Sequence, residues 1–129
     1  MKKSDLPKPT DGEMAVLRVL WSRGPCTVRV VWEEINAKQP TGYTTVLKIM
    51  QIMAEKGLVE RDESARSHVY TTSLSEEQTQ RQVVGLLLDR VFAGSARKLV
   101  MQALSAKKAT REELAEIRKM IDDMEGGAK

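Results

Sequence analysis

The sequence has few of the residues on which secreted, membrane and all-β proteins depend. It contains one cysteine, Cys26, and 4% of its residues are aromatic. One cysteine cannot form an internal disulfide, and no apolar run approaches the roughly 20 residues that span a bilayer. No secretion signal opens the chain. These absences argue against a secreted or membrane-inserted protein and predict a cytoplasmic one, with an aliphatic and mainly helical core.

Motifs for catalysis and metal binding are equally scarce. The one histidine, His68, lies far along the chain from Cys26, and neither a CxxC nor an HExxH pattern occurs. A Cys–His nucleophile pair and a structural zinc site are therefore not indicated. The phosphate-cradling patterns GxxxxGK[ST] and GxGxxG are also missing. The sequence predicts no enzyme, no metal site and no cofactor.

Charge is plentiful but nearly balanced. The 21 lysine and arginine residues against 18 aspartate and glutamate residues give a net charge of +3. This mild excess permits a polyanionic partner without demonstrating one. With 129 residues, 41% of them hydrophobic, the chain is long enough for one folded domain with a helical extension.

Three helix patterns follow a polar segment at 1–9, which we expect to be a flexible arm. Thr10 and Glu13 have capping-box spacing ahead of the first apolar stripe, and Gly24-Pro25 ends it. The three predicted helices cover about 11–22, 28–39 and 42–56.

Two short runs typical of β-strands come next, at 58–63 and 68–72, across the polar connection 64–67. They predict a β-hairpin. Three helices followed by a hairpin is the order of a winged helix-turn-helix domain, in which the third helix enters the major groove and the hairpin contacts phosphates. We therefore predict a winged-helix DNA-binding domain at 10–73.

Beyond Leu74 the pattern predicts three more helices and a frayed tail at 126–129. The apolar stripes of these helices are too short to form a roomy core and need a partner surface, which a second copy would supply. We therefore predict a helical dimerisation domain at 74–125, and a mainly α fold with one small β-hairpin. The predicted helices cover about 75–92, 96–105 and 110–125, and the predicted dimer contacts are Val84, Leu87, Leu88, Val91, Leu99, Ile117 and Ile121.

The methionines give no sign of a special role. Methionine is a flexible apolar side chain that fills irregular gaps in cores. Core packing is accordingly what we expect of Met50, Met53, Met101, Met120 and Met124.

The third helix has a polar face opposite its apolar one. At about 100° per residue, Thr44, Lys48 and Gln51 share that face. Lysine can donate to guanine, glutamine can pair with adenine, and a threonine methyl can contact thymine. The alternative is an ordinary solvated face, with Leu47 and Ile52 packing against the hairpin or the second helix. The predicted DNA-binding residues are Tyr43, Thr44, Thr45, Leu47, Lys48 and Gln51 on the helix, with Arg66 and Ser67 at the hairpin tip.

The string GYTTVLKIMQIMAEKGLVERDESARSHVY, residues 42–70, resembles the core of the BlaI/MecI (penicillinase repressor) family of bacterial transcriptional regulators. So do LRVLW at 17–21 and VGLLLDRVFAGSARKLV at 84–100. The resemblance implies a cytoplasmic homodimeric repressor that binds an inverted-repeat operator through its N-terminal domain. It also implies DNA-facing positions for Tyr43, Thr44, Thr45 and Lys48.

Three departures from the family pattern limit what the resemblance implies. Some relatives carry basic residues where Leu47 and Ile52 stand, so the operator sequence cannot be transferred. Antibiotic-responsive members are cleaved at an Asn-Phe bond by a membrane sensor-protease, and the matching dipeptide here is Gln102-Ala103. A sensor or protease partner is thus left open. The cysteine cluster of copper-responsive members is absent.

The predicted function is a sequence-specific transcriptional repressor that acts as a homodimer on an inverted-repeat operator. Two alternatives stay open. Because fold does not fix function, and because Glu55, Glu60, Asp62 and Glu63 lie near the polar face, the domain could instead be a protein-interaction module without specific DNA binding. A regulator that senses a small molecule would need a pocket between the hairpin and the dimer helices.

Overall fold

The computed structural model describes residues 8–127. Within them the chain forms helices and a two-stranded antiparallel hairpin, in the order expected from the sequence. The helices are α1 (Asp11–Arg23), α2 (Val28–Lys38), α3 (Tyr43–Lys56), α4 (Glu76–Arg90), α5 (Ala96–Ala106) and α6 (Arg111–Gly127), and the strands are β1 (Val59–Asp62) and β2 (Val69–Thr72). The prediction of a mainly α fold with a small hairpin is confirmed.

The chain divides into two compact units between Gly85 and Leu86, a point inside α4. We call the residues up to Gly85 the N-terminal unit and those from Leu86 onward the C-terminal unit. In the N-terminal unit α1, α2 and α3 pack on one another, α3 packs on β1, and α1 packs on β2.

One hydrophobic cluster holds the N-terminal unit together. Glycine lets two of its helices approach closely, since a Cβ at Gly12 would lie 3.2 Å from Ile49 Cδ1. Burying each large apolar side chain contributes on the order of 1.5–3 kcal/mol. The cluster comprises Val16, Leu17, Leu20, Cys26, Val28, Val31, Val46, Met50, Met53, Leu58, Val59, Tyr70 and Leu74.

The short segment between α1 and α2 pairs with the hairpin through its backbone. Cys26 N donates to Tyr70 O at 3.1 Å, and Tyr70 N donates to Cys26 O at 2.8 Å, so the chain after α1 pairs with β2. The Cys26 side chain is buried, and burial raises the pKa of its thiol. Cys26 thus pairs through its backbone and packs as a small apolar side chain.

The helix ends follow the capping signals of the sequence. Thr10 N donates to Glu13 Oε1 at 2.9 Å while Glu13 N donates to Thr10 Oγ1 at 3.2 Å, a complete capping box at α1. Thr110 and Glu113 form the same arrangement before α6, at 2.9 and 3.0 Å. Gly57, with φ of 84°, ends α3 in the left-handed conformation that glycine adopts without strain.

Several boundaries differ from the predictions. α3 begins at Tyr43 with Gly42 as its N-cap, one residue later than predicted, and before it the Thr41 hydroxyl donates to Gln39 O at 2.7 Å. Pro9, placed in the predicted arm, is buried directly before the capping residue, while 1–7 lie outside the described residues. α6 continues through Gly127, so the predicted tail begins inside the helix; terminal glycines weaken a helix without forbidding it.

In the C-terminal unit the described helices do not enclose a core of buried side chains. Ser95 caps α5 by accepting from Lys98 N at 3.2 Å, after a turn in which Ala93 and Gly94 both have positive φ. The expectation that Met101, Met120 and Met124 fill a core is wrong for this chain, because they are 57%, 64% and 67% exposed. Their helices carry apolar stripes that the rest of the described chain covers only in part.

Residues 8–127 also bear on the expectations about membranes and metals. Among these residues no helix is long and apolar enough to cross a bilayer. The same residues contain no group of three or more histidine, cysteine, aspartate or glutamate side chains placed to hold a metal ion.

Candidate nucleic-acid interface

The exposed face of α3 carries the polar residues that the sequence places there. Thr44, Lys48 and Gln51 are all exposed. On the opposite side Val46, Met50 and Met53 are at most 1% exposed. The helix therefore buries one face completely and presents the other, with its base-reading side-chain types, to solvent.

Contacts to α2 fix the beginning of α3. The Trp32 indole Nε1 donates to Thr41 O at 2.7 Å. The Trp32 ring also meets the Tyr43 ring edge-on, with centroids 5.8 Å apart and planes at 76°. An aromatic pair of this geometry contributes about 0.5–1.5 kcal/mol beyond its buried area. The residues that open α3 are thus held in place.

A contact to α1 fixes the other end of α3. Lys56 Nζ lies 2.8 Å from Glu13 Oε2, and the Glu13 side chain is 5% exposed. Burial of Glu13 alone would raise the pKa of its carboxyl, but hydrogen bonds from Lys56 and Thr10 outweigh burial and lower it. Since Glu13 also completes the α1 capping box, one carboxylate joins the start of α1 to the end of α3.

The first turn of α3 is open to an anion. Its N-cap, Gly42, has no side chain to accept from the free N–H groups of that turn. Tyr43, Thr44 and Thr45 are exposed around them, with Tyr43 at 41%. Free N–H groups and the positive end of the helix dipole favour a phosphate at such a position.

The tip of the hairpin carries the other predicted contacts, Arg66 and Ser67, which are both exposed. The turn before them is ordered by Asp62, whose Oδ1 accepts from Ser64 N at 2.9 Å. Hydrogen bonds from the Ser64 side chain and backbone lower the pKa of the Asp62 carboxyl. The structure thus gives the tip a defined turn and leaves its cation free to contact a partner.

The sequence interpretation missed Arg61. Its guanidinium lies 2.8 Å from Glu63 Oε2, and with Gln51 and Glu55 it lines a shallow cavity between α3 and β1. Arg61 pairs with Tyr70 in the strand register, and the hydrogen bonds that its guanidinium donates to the Tyr70 and Glu63 side chains raise its pKa. Alternation along β1 could have shown that Arg61 faces α3, but not that Glu63 neutralises it.

The two aliphatic residues near the polar face differ from each other. Leu47 is half-buried and packs against the core cluster. Ile52 is 38% exposed. Leu47 therefore offers a ligand less surface than Lys48, its neighbour in the chain.

The predicted dimer contacts are only partly covered by the rest of the chain. Leu88, Leu99 and Ile117 are half-buried. Val84, Leu87, Val91 and Ile121 are 42%, 39%, 65% and 50% exposed. Val100 and Leu104 on α5 and the methionines Met101, Met120 and Met124 are further exposed apolar residues that the prediction left out. Gln102 and Ala103, on α5, are exposed as well.

Comparison with known proteins identifies relatives along nearly the whole chain. The family model described as penicillinase repressor matches residues 9–123. The transcriptional regulator BlaI of Mycobacterium tuberculosis (strain ATCC 25618 / H37Rv) is 30% identical over 122 residues, which cover 91% of this chain and 85% of the relative. The penicillinase repressor of Bacillus licheniformis is 22% identical over 123 residues, covering 95% and 94%.

A solved structure supports the fold of the N-terminal part. The solution structure of the DNA-binding domain of the repressor BlaI superposes with a TM-score of 0.52 at 24% identity, covering 60% of this chain and 93% of that one. The predicted winged helix is thereby confirmed. The names of the family and of these relatives describe a transcriptional regulator and repressors. The match over residues 9–123 and the 30% identity show that the chain belongs to the penicillinase repressor family of transcriptional regulators.

Proposed function

We propose that the protein represses transcription as a homodimer on an inverted-repeat operator, with α3 in the major groove and the hairpin against the sugar-phosphate backbone. The observation that carries the proposal is the exposed face of α3 with Thr44, Lys48 and Gln51, on a helix held at both ends by α1 and α2. A rigid support of this kind is what base readout requires. The relative whose domain has this fold is named a repressor with a DNA-binding domain.

In the proposed complex the residues divide into two roles. Lys48, Gln51 and Thr44 contact base edges, with Leu47 at the side of the same face. Tyr43 and Thr45 at the start of α3, together with Arg66 and Ser67 at the hairpin tip, contact phosphates and set the orientation. The first group determines which sequence is bound, and the second contributes affinity for any sequence.

The homodimer rests on the apolar residues that the C-terminal helices leave exposed. Val91, Ile121 and Met124 are each at least half exposed, which is costly unless a second surface covers them. We propose that 10–73 bind DNA and 74–125 dimerise, so that two α3 helices meet two half-sites about one or more helical turns of ~10 bp apart. Such a protein works in the cytoplasm, where the promoter is. Relief of repression by a sensor or protease stays a prediction.

Fluorescence anisotropy with DNA from upstream of the protein's own gene, against scrambled DNA at two salt concentrations, tests the proposal. We expect tight binding that prefers the upstream sequence, weakens with salt, and saturates at one dimer per site. Equal weak binding to both DNAs, insensitive to salt, would instead favour the protein-interaction module. In that case the exposed acids Glu55 and Glu63 would belong to a protein-binding surface.

Variants separate the two proposed roles. Lys48→Ala should weaken operator binding by about 1–3 kcal/mol and relax sequence preference. Arg66→Ala should weaken binding to all sequences and lower the salt slope by about one unit. Lys108→Ala removes the same charge from an exposed position in the C-terminal unit and serves as the control. If Lys48→Ala and Arg66→Ala bind DNA like the parent, as the control should, the assignment of the site is wrong.

A further inference from the structure

A concave groove runs between α1 and α2. None of the residues proposed to contact DNA lines it. Its cavity volume is about 300 Å³. Ala15 and Val19 of α1 and Ile35 of α2 line its apolar part. Val19 and Ile35 are half-buried and pack against the core cluster, so this apolar surface continues into the interior.

The rim of the same groove is cationic. Arg18, Arg23 and Lys38 line it, and Glu34 is the one acidic residue among the lining side chains that the structure describes. Glu34 is already bound to Arg23 by a salt bridge. Within residues 8–127 the side chains of Arg18 and Lys38 take part in no ion pair. The groove therefore presents two unneutralised cations beside an apolar surface.

We infer that this groove binds a small organic acid with an apolar body. The carboxylate would meet Arg18 and Lys38, and the body would lie on Val19 and Ile35. Charge complementarity selects an anion, because a carboxylate accepts charge-assisted hydrogen bonds from these two cations, which are stronger than the bonds a neutral ligand would accept. The size selects a small molecule, since ~300 Å³ is at the lower end of the range for small-molecule pockets.

The position of Ile35 provides a way to detect binding. Ile35 lies one turn after Trp32 on α2, and Trp32 is the residue whose indole holds the start of α3 through Thr41 O. A ligand on Ile35 would therefore lie one helical turn from Trp32, whose indole N–H gives its own resonance. Binding does not depend on the proposed DNA complex, so it can be tested without DNA.

NMR titration of the full-length ¹⁵N-labelled chain tests the inference, with benzoate and hexanoate as probes and benzamide and hexanamide as neutral controls of the same shape. We expect saturable shifts of the Val19, Ser22 and Ile35 amides and of the Trp32 indole N–H with the acids. The amides should bind at least about tenfold more weakly, the effect of losing one charge-assisted contact. Trp32→Phe assigns the indole resonance.

Substitutions on the rim of the groove test whether its cations bind the carboxylate of the acid. Arg18→Gln and Lys38→Gln, both at exposed helix positions where glutamine is tolerated, should each weaken acid binding by about threefold to tenfold. Arg97→Gln, exposed on α5, should change nothing.

Three outcomes would overturn the inference. The first is no saturable shift in the groove with either acid up to about 10 mM. The second is equal binding of acid and amide, which would mean that the rim charges are not used. The third is binding of an acidic Glu–Leu peptide in the groove without binding of the small acids, which would make it a protein-docking site. Each is independent of the anisotropy measurement that tests DNA binding.

Discussion

The N-terminal and C-terminal units use the same local signals and bury very different amounts of apolar surface. Each contains a complete capping box made by a threonine and a glutamate. The box in the N-terminal unit is Thr10 with Glu13, and the box in the C-terminal unit is Thr110 with Glu113. Yet among residues 8–126 the buried hydrophobic side chains of the core all lie between Val16 and Leu74. Along α5 and the described part of α6 not one residue is buried. Capping and periodicity thus define a helix locally, whereas its burial depends on a second surface.

This difference distinguishes a unit whose core is closed by its own described residues from one whose apolar stripes are left partly exposed, which is the basis of the proposed homodimer. The core of the N-terminal unit is closed by contacts between residues far apart in sequence, such as Trp21 Nε1 donating to Leu74 O at 3.2 Å. The C-terminal helices instead expose residues at core spacing, among them Met101 and Met124. Short helices are marginal alone, and the proposed dimer would give these stripes a surface to pack on.

The largest expected effect comes from placing a charge in the exposed stripe. Leu87→Asp would bury an unpaired carboxylate in the proposed dimer interface, and we expect the dimer dissociation constant to rise at least about 100-fold. Multi-angle light scattering over a concentration series measures it. Gln78→Glu adds the same charge at an exposed position on the opposite side of the same helix, so it is the control and should stay dimeric. A dimeric Leu87→Asp variant would move the interface away from Leu87.

A pair of methionine truncations compares the two units directly. Met50 is fully buried and Met101 is 57% exposed. Met50→Ala should lower the free energy of unfolding of the N-terminal unit by about 2–5 kcal/mol, because it removes buried atoms and leaves a cavity. Met101→Ala should change it by less than about 0.5 kcal/mol. Urea denaturation followed by Trp21 and Trp32 fluorescence reports on that unit. Equal losses of unfolding free energy in the two variants would mean that the two units do not differ in how they bury their methionines.

These residues also show how far the sequence could predict the structure. Val46, Met50 and Met53 have the same helical spacing as the stripes of α5 and α6, and the prediction of core packing is correct for Met50 and Met53 but wrong for Met101, Met120 and Met124. Periodicity reports which side of a helix is apolar. It does not report whether the covering surface belongs to the same chain.

The candidate site was predictable to a similar extent. The polar face of α3 follows from its helical period, and exposure of Lys48 and Gln51 agrees with it. The Trp32–Thr41 hydrogen bond, the Arg61–Glu63 pair and the Lys56–Glu13 pair were not predicted. Each depends on how a side chain is placed by a turn or by packing between elements, which residue spacing alone does not determine.

The next effect in size is a pH dependence specific to the N-terminal unit. The pKa of Glu13 is lowered in the folded protein, so its ionised form stabilises the fold above its unfolded-state pKa. That contribution is lost as the pH falls through the lower, folded-state pKa. We therefore expect the urea midpoint to fall on acidification, and to fall less steeply in Glu13→Gln.

The control for this pH dependence is Glu116→Gln, at an exposed position on α6. It should leave the pH dependence of the Trp fluorescence transition unchanged. If Glu13→Gln retains the parent slope between neutral and acid pH, other carboxyl groups cause it, and the link between α1 and α3 contributes nothing to it.

The smallest expected effect concerns two lysine–carboxylate pairs, one in each unit. Lys56 Nζ is 2.8 Å from Glu13, whose side chain is 5% exposed, whereas Lys119 Nζ is 3.1 Å from Asp123, and those two side chains are 76% and 66% exposed. Solvent screens the second pair and competes for both of its charges, so Lys119→Ala should change the free energy of unfolding by less than about 0.5 kcal/mol. Lys56→Ala leaves a buried acceptor without its partner and should cost about 1–3 kcal/mol.

Urea titrations of both variants at low and high salt separate these cases. Added salt should abolish whatever small effect Lys119→Ala has, because exposed charges are screened within a Debye length of about 10 Å at 0.1 M. The effect of Lys56→Ala should persist, since it arises from burial of the Glu13 carboxylate. A loss on Lys119→Ala as large as that on Lys56→Ala would mean that another surface, absent from the single chain, covers α6 at Asp123. The proposed dimer interface would then extend to that part of the helix.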